Sequence, residues 1–152
     1  MLQSQEERVH DSALRSLNMR AHSVYELRRK LIKKGMDESI IEGVLSRLEK
    51  VGLLDDRDFA MRYVEYGFLR KSWGMVKVKA SLREKGVPKE IIDEVFLDPK
   101  VSEMEVLGAR LFVEKKLRVK TTESKGSKEK IVTQLKGRGY RWDIISEVTA
   151  NI

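Results

Sequence analysis

The stretch LIKKGMDESIIEGV at residues 31–44 decides how the chain folds, because it occurs three times. It returns as LREKGVPKEIIDEV at residues 82–95 and as LKGRGYRWDIISEV at residues 135–148. All three read L-x3-G-x4-I-I-x2-V without a gap, and their leading leucines lie 51 and then 53 residues apart. An apolar residue stands four positions before each leucine (Leu27, Val78, Ile131), and a basic residue stands directly before each glycine (Lys34, Lys85, Arg138). A period of this length marks a repeat architecture.

Each part of the pattern has a physical reason. The apolar residue and the leucine four places on share one face of a helix. The glycine ends that helix, since a left-handed C-terminal position costs it little. The basic residue before it suits the negative end of the helix dipole. A second helix then starts, with Ile-Ile-x2-Val as its inner face. Pro88 fits near such a start, and Asp37, Glu38 and Asp143 suit the first turn by charge.

A further helix precedes each pair. Leu14 and Leu17 begin it in the first unit, where Ser23-x-x-Glu26 reads as a capping box for the next helix. In the second unit Asp55 or Asp56 caps a helix carrying Phe59, Ala60, Tyr63 and Tyr66. In the third, Val106, Leu107, Leu111 and Leu117 supply the apolar positions. The spacing predicts helices near 7–20, 23–34, 38–50, 56–70, 75–85, 89–97, 102–119, 127–137 and 141–150. Links fall near Val51–Leu54 and Leu97–Val101, and Thr121–Ser127 reads as a loop. Val-Lys-Val-Lys at 76–79 alternates but sits among helical signals. The expected fold is all-α: three tandem three-helix repeats over 1–52, 53–99 and 100–152, stacked as an elongated curved array. A unit of this size buries little surface alone and gains by packing on its neighbours.

Composition limits the function classes. Apolar residues make up 41% of the 152-residue chain and charged residues 36%, too apolar for disorder and too charged for a membrane protein. There is no cysteine, so neither a disulfide framework nor a thiolate metal site is available. The polar start MLQSQEERVHD is not expected to act as a signal peptide, and a cytoplasmic protein is expected. His10 and His22 read as exposed polar residues, and Asp55-Asp56 as a helix cap rather than a metal or acid–base pair. No HExxH, Walker A, GxGxxG or GxSxG motif occurs, and no nucleophile has an evident partnered base. No enzyme activity and no cofactor are expected.

Net charge is +7, and it is uneven. Between Leu107 and Arg141 eleven basic residues face three acidic ones, which leaves the rest of the chain near neutral. The second helix of each unit is basic away from its core stripe. A single such helix reads as a solvated face, but recurrence at equivalent places suggests a charged stripe of roughly 50 Å or more along the array. That suits an extended polyanion or a filament groove. Trp73 and Trp142, both near helix starts, read first as packing residues and second as aromatic contacts to a partner or a base.

The same residues carry a family resemblance. Ala13-Leu14, Leu17, Arg20, Ser23-x-x-Glu26-Leu27 and Leu31-x-x-Lys34-Gly35 resemble the opening signature of the RecX family. Gly52-Leu53-Leu54-Asp55-Asp56-x-x-Phe59-Ala60-x-x-Tyr63 resembles its most specific stretch. Lys71-x-x-Gly74, Val78 and Leu82-x-x-Lys85-Gly86-Val87 continue it, and Arg138-Gly139-Tyr140-x-x-Asp143-Ile144 is similar to its closing repeat. The resemblance covers about residues 12–148 and is weakest over 98–126. It implies a monomeric, non-enzymatic regulator in DNA recombination, repair and the SOS response. Such a protein binds the RecA–single-stranded DNA filament in its groove and inhibits extension, ATP hydrolysis and strand exchange. Some relatives also bind single- or double-stranded DNA directly. The contact residues expected here are Arg28, Arg29, Lys30, Lys33, Arg70, Lys71, Lys77, Arg83, Lys128, Lys130 and Lys136. The alternative is a non-specific basic DNA-binding module that acts without a recombinase.

Overall fold

The structure is a computed structural model that describes residues 3–118 and 127–152. These residues form nine α-helices and no strand. The first unit holds α1 (Gln5–Met19), α2 (Val24–Lys33) and α3 (Glu38–Lys50). The second holds α4 (Asp56–Glu65), extended by a π-helical turn at Tyr66–Arg70, then α5 (Met75–Glu84) and α6 (Lys89–Leu97). The third holds α7 (Pro99–Arg118), α8 (Ser127–Gly137) and α9 (Trp142–Val148). The link expected over Leu97–Val101 shrinks to Asp98, because Asp98 Oδ1 accepts the Lys100 N–H at 3.0 Å and Pro99 opens α7 at once. Of the loop expected over Thr121–Ser127, residues 121–126 lie outside the described residues, and Ser127 already opens α8.

The repeated glycine ends α2, α5 and α8 in the same way. Gly35, Gly86 and Gly139 have φ of 83°, 75° and 91°. The following residue donates its N–H back to the repeat leucine: Met36 to Leu31, Val87 to Leu82 and Tyr140 to Leu135, at 3.1–3.3 Å. Each glycine N–H reaches the carbonyl three residues back. This is a Schellman closure, which satisfies the last carbonyls of the helix and turns the chain into the next one.

Each unit has its own core. Leu27, Leu31, Ile41 and Val44 are buried in the first, Val78, Leu82, Ile92 and Val95 in the second, and Ile131, Leu135, Ile145 and Val148 in the third. These are equivalent positions of the repeat. Leu54 packs into the first core and Val101 into the second.

Two side-chain assignments need correction. Leu107, Leu111 and Leu117 do not form the core face of α7: they are 49%, 45% and 46% exposed. The buried face is Val101, Glu105, Gly108, Ala109, Phe112 and Val113. That stripe has helical spacing but is built partly from small residues and a carboxylate, because α7 packs on the second unit as well as on its own. His22 is 3% exposed rather than a surface residue. Its Nδ1–H donates to the Arg20 carbonyl at 3.0 Å, and its Nε2 meets no protein partner.

Candidate functional site

The site starts at the junction of the first and second units. The Ser23 hydroxyl accepts the Glu26 N–H at 3.0 Å, and the Glu26 carboxylate accepts the Ser23 N–H at 3.2 Å, which completes the capping box of α2. The same hydroxyl donates to the Lys85 carbonyl at 2.5 Å, so this cap also ties two units together. Asp55 caps α4, taking the Arg57 and Asp58 N–H groups. Asp56 is thereby free to accept the Val24 N–H across the junction at 2.9 Å.

A cleft of about 1040 Å³ opens between these units, with Tyr25, Arg29, Lys30, Lys33, Tyr63 and Lys85 on its walls. Lys85 and Arg20 both pair with Glu26, at 3.6 and 3.3 Å. Burial works against the Glu26 carboxylate, but the Ser23 N–H, Arg20 and Lys85 outweigh it and hold its pKa below the ordinary glutamate value. The junction thus consumes one of the few acidic groups in the cleft and leaves Arg29, Lys30 and Lys33 facing solvent or half-buried without an acidic partner among the described residues.

Tyr63 leads from the cleft into an aromatic cluster. Its ring stacks on Phe59 at 6.1 Å and lies 6.2 Å from Tyr66 and 6.3 Å from Trp73, while Tyr66 and Trp73 meet edge to face at 6.1 Å. The backbone sets this up. The π-helical turn carries the chain one residue further per turn, and Ser72 at φ 53° reverses it. The Trp73 N–H then reaches the Gly67 carbonyl at 2.9 Å, and its ring folds back over Tyr66. Gly67 is needed for the close approach, since a Cβ there would lie 2.7 Å from Val78 Cγ2 and 3.3 Å from the Trp73 ring.

The eleven basic residues singled out in the sequence do not converge on one place. Arg29, Lys30 and Lys33 line the cleft. Lys71 and Lys77 stand over the Tyr66 and Trp73 rings at 5.7 and 5.0 Å. Arg28 is instead held by Glu42 of its own unit at 2.5 Å. Arg70 and Arg83 are exposed. Lys128, Lys130 and Lys136 are exposed on α8, with Lys136 over Trp142 at 5.5 Å. Trp142 is 62% exposed and is not a core residue. Sequence reasoning missed Tyr25 and Tyr66 as exposed rings and Lys85 as a cleft group, reading Tyr66 as core and Lys85 as a dipole partner, whereas Tyr63, also read as core, does pack half-buried on the second core. The signal available was the interleaving of aromatic and basic residues in YVEYGFLRKSW over residues 63–73.

No helix among the described residues is long and apolar enough to cross a membrane, and no group of them could hold a metal ion. Fold and surface together define an all-helical protein of tandem three-helix domains with cation–aromatic pairs on its outer faces. The family model described as "RecX, first three-helix domain" matches residues 10–48, and "RecX, second three-helix domain" matches residues 55–95. "Regulatory protein RecX" of Chlorobaculum tepidum is 41% identical over 137 residues, covering 90% of this chain and 83% of the relative. The protein of that name from Mycobacterium sp. (strain KMS) is 35% identical over 149 residues, covering 95% and 81%. The crystal structure of RecX from Lactobacillus salivarius superposes with a TM-score of 0.80 at 21% identity, over 96% of this chain and 95% of that one. The chain belongs to the RecX family of regulatory proteins.

Proposed function

We propose that this protein regulates a RecA recombinase by binding in the groove of its filament on single-stranded DNA, where it inhibits filament extension, ATP hydrolysis and strand exchange. The reading rests on family membership together with one observation: outward-facing cations recur from unit to unit, many of them beside an aromatic ring. Units arranged in tandem can touch successive recombinase protomers at once. Weak contacts then add through effective concentration. A protein lodged in this way opposes the rearrangements of protomers during turnover and obstructs entry of a second DNA. It acts as a cytoplasmic monomer and carries out no chemistry of its own. The contact residues are Arg29, Lys30 and Lys33 of the cleft, Arg70, Lys71, Lys77 and Arg83 of the second unit, and Lys128, Lys130 and Lys136 of the third. Arg28 is the weakest of the group, because Glu42 already neutralises it.

The test is ATP hydrolysis by the cognate recombinase on saturating single-stranded DNA. Inhibition is expected when this protein is far below the recombinase in amount. A variant with Lys30, Lys33, Lys128 and Lys130 changed to Glu should inhibit at least about tenfold more weakly at unchanged helicity. Normal inhibition by that variant would overturn the reading. A second reading, non-specific DNA binding without a recombinase, draws on the basic excess between Leu107 and Arg141. It predicts inhibition only at amounts that coat the DNA, with a steep loss of affinity in salt.

A further inference from the structure

Three ammonium groups stand over three neighbouring rings of the second unit: Lys71 over Tyr66 at 5.7 Å, Lys77 over Trp73 at 5.0 Å and Lys85 over Tyr63 at 5.3 Å. Tyr63 and Trp73 are half-buried and pack on the second core with part of their surface, and the part beneath a lysine head adjoins solvent, because an ammonium keeps its water shell. The same segment also feeds the core, where Val64, Phe68 and Val78 are fully buried. Tyr66 is 43% exposed, although a residue needed only for packing would turn inward. The rings are held by the π-helical turn and by the left-handed Ser72, two departures from regular backbone within seven residues of chain. Such departures persist where the surrounding structure over-determines them, and they gather at functional sites.

We propose that Tyr66 and Trp73, with Lys71 and Lys77, form a stacking site for unpaired nucleotides, through which the second unit tells single-stranded from duplex nucleic acid. Bases settle on the open ring faces, and the two lysine heads swing aside onto the flanking phosphates. Stacking tolerates any sequence because every base has a π-face. A duplex presents phosphates to the lysines but keeps its bases stacked on one another, so the rings gain nothing from it. An acidic peptide likewise satisfies the ammonium groups and leaves the ring faces empty. Among the described residues the cations of α8 provide an internal contrast, with Lys136 over Trp142 as their one cation–ring pair. The proposal concerns direct contact with the strand and does not depend on a recombinase, so it can fail while filament regulation stands.

The experiment uses the full chain with Trp142→Phe, which leaves Trp73 as the single tryptophan of the protein. An oligothymidylate of about twelve nucleotides, a duplex of equal length and a polyglutamate peptide are titrated separately, following Trp73 fluorescence and, by calorimetry, affinity. The single strand should quench Trp73, whereas the duplex and the peptide should bind without quenching it. Tyr66→Ala should weaken the single strand by about tenfold and the duplex by less than about twofold, and Tyr66→Phe should behave as the parent. Tyr66 is the position to change because its exposure lets the ring be removed without opening the core, and thermal unfolding verifies that the variant folds. Unaltered strand affinity in Tyr66→Ala, equal losses for strand and duplex, or equal quenching by polyglutamate would each overturn the proposal.

Discussion

Between the second and third units backbone rests on backbone, whereas between the first and second the contacts run through side chains. At the former junction the Gly74 N–H donates to the Arg138 carbonyl at 2.7 Å and the Val76 N–H to the Gly139 carbonyl at 3.2 Å. Gly108 of α7 sits on the carbonyl of Phe68, where a Cβ would come within 2.1 Å of the oxygen. Glu105, almost wholly buried, accepts the Met75 N–H at 2.7 Å and so caps α5 from another unit. At the latter junction, apart from the linker bonds of Leu53 and Leu54 to the Leu48 carbonyl, no backbone group of α1–α3 bonds a backbone group of α4–α6 among the described residues. The ties are the Ser23 hydroxyl, the Asp56 carboxylate and the Glu26–Lys85 pair, with the Tyr25 ring laid on Gly86. Backbone cannot move aside without unfolding the helix it belongs to, but a side chain can change rotamer. The same repeat therefore makes one stiff junction and one yielding junction, and the open cleft lies at the yielding one.

The largest effect should separate the two junctions directly. Gly108→Ala forces a methyl group onto the Phe68 carbonyl and should cost about 3 kcal/mol, the upper range for overpacking. Tyr25→Ala removes the partly exposed ring laid on Gly86 at the other junction and should cost only about 1 kcal/mol. Urea unfolding of both variants measures the difference. If Tyr25→Ala were the more damaging, the contrast between stiff and yielding junctions would be wrong.

A smaller effect sharpens the first junction. Ser23→Ala removes the α2 cap and the bond to Lys85, and should cost about 1–2 kcal/mol. Hydrogen exchange should quicken in α2 and at the end of α5, with α7 to α9 unaffected. Acceleration spread evenly over all three units would mean that the junctions open together.

The smallest effect is in pH. Burial lowers the His22 pKa below 6.5, so its contribution to stability is whole above pH 6.5 and is lost as pH falls through the lowered folded value. Burial raises the Glu105 pKa above 4.5; its contribution is whole below pH 4.5 and is lost as pH rises through the raised value. Mild acidification therefore loosens the first unit through His22 while Glu105 favours the second junction. Asp56, also raised by burial, opposes His22 at the first junction, so the decisive comparison is with His22→Gln. That variant should lose part of the acid destabilisation that the parent shows in urea unfolding as pH falls below 6.5. An identical pH profile for parent and variant would remove His22 from the account.

Much of the fold was legible in the chain. The predicted helices fall within three residues of the observed bounds at each end, because capping boxes, Schellman glycines and i, i+4 pairs are local devices. The face of α7 was not legible. Hydrophobicity singles out Leu107 and Leu111, but the close fit to Phe68 requires Gly108, whose role depends on a residue 40 positions earlier in the sequence. His22 was misread for the same reason: nothing beside it in sequence says that it will be almost wholly buried once the first two units pack. The cations were legible as residues, but not their partners. Arg28 meets Glu42 and Lys71 meets Tyr66 only once the helices pack.

Periodicity, charge and turn chemistry act over a few residues, and from these the sequence by itself determined the helices, their ends and the threefold repetition of the unit. Tertiary structure alone decided which junction is stiff, which rings stay open and which cations are already paired. Those outcomes depend on atoms brought together from distant parts of the chain, where a single methyl group or carboxylate outweighs any local preference.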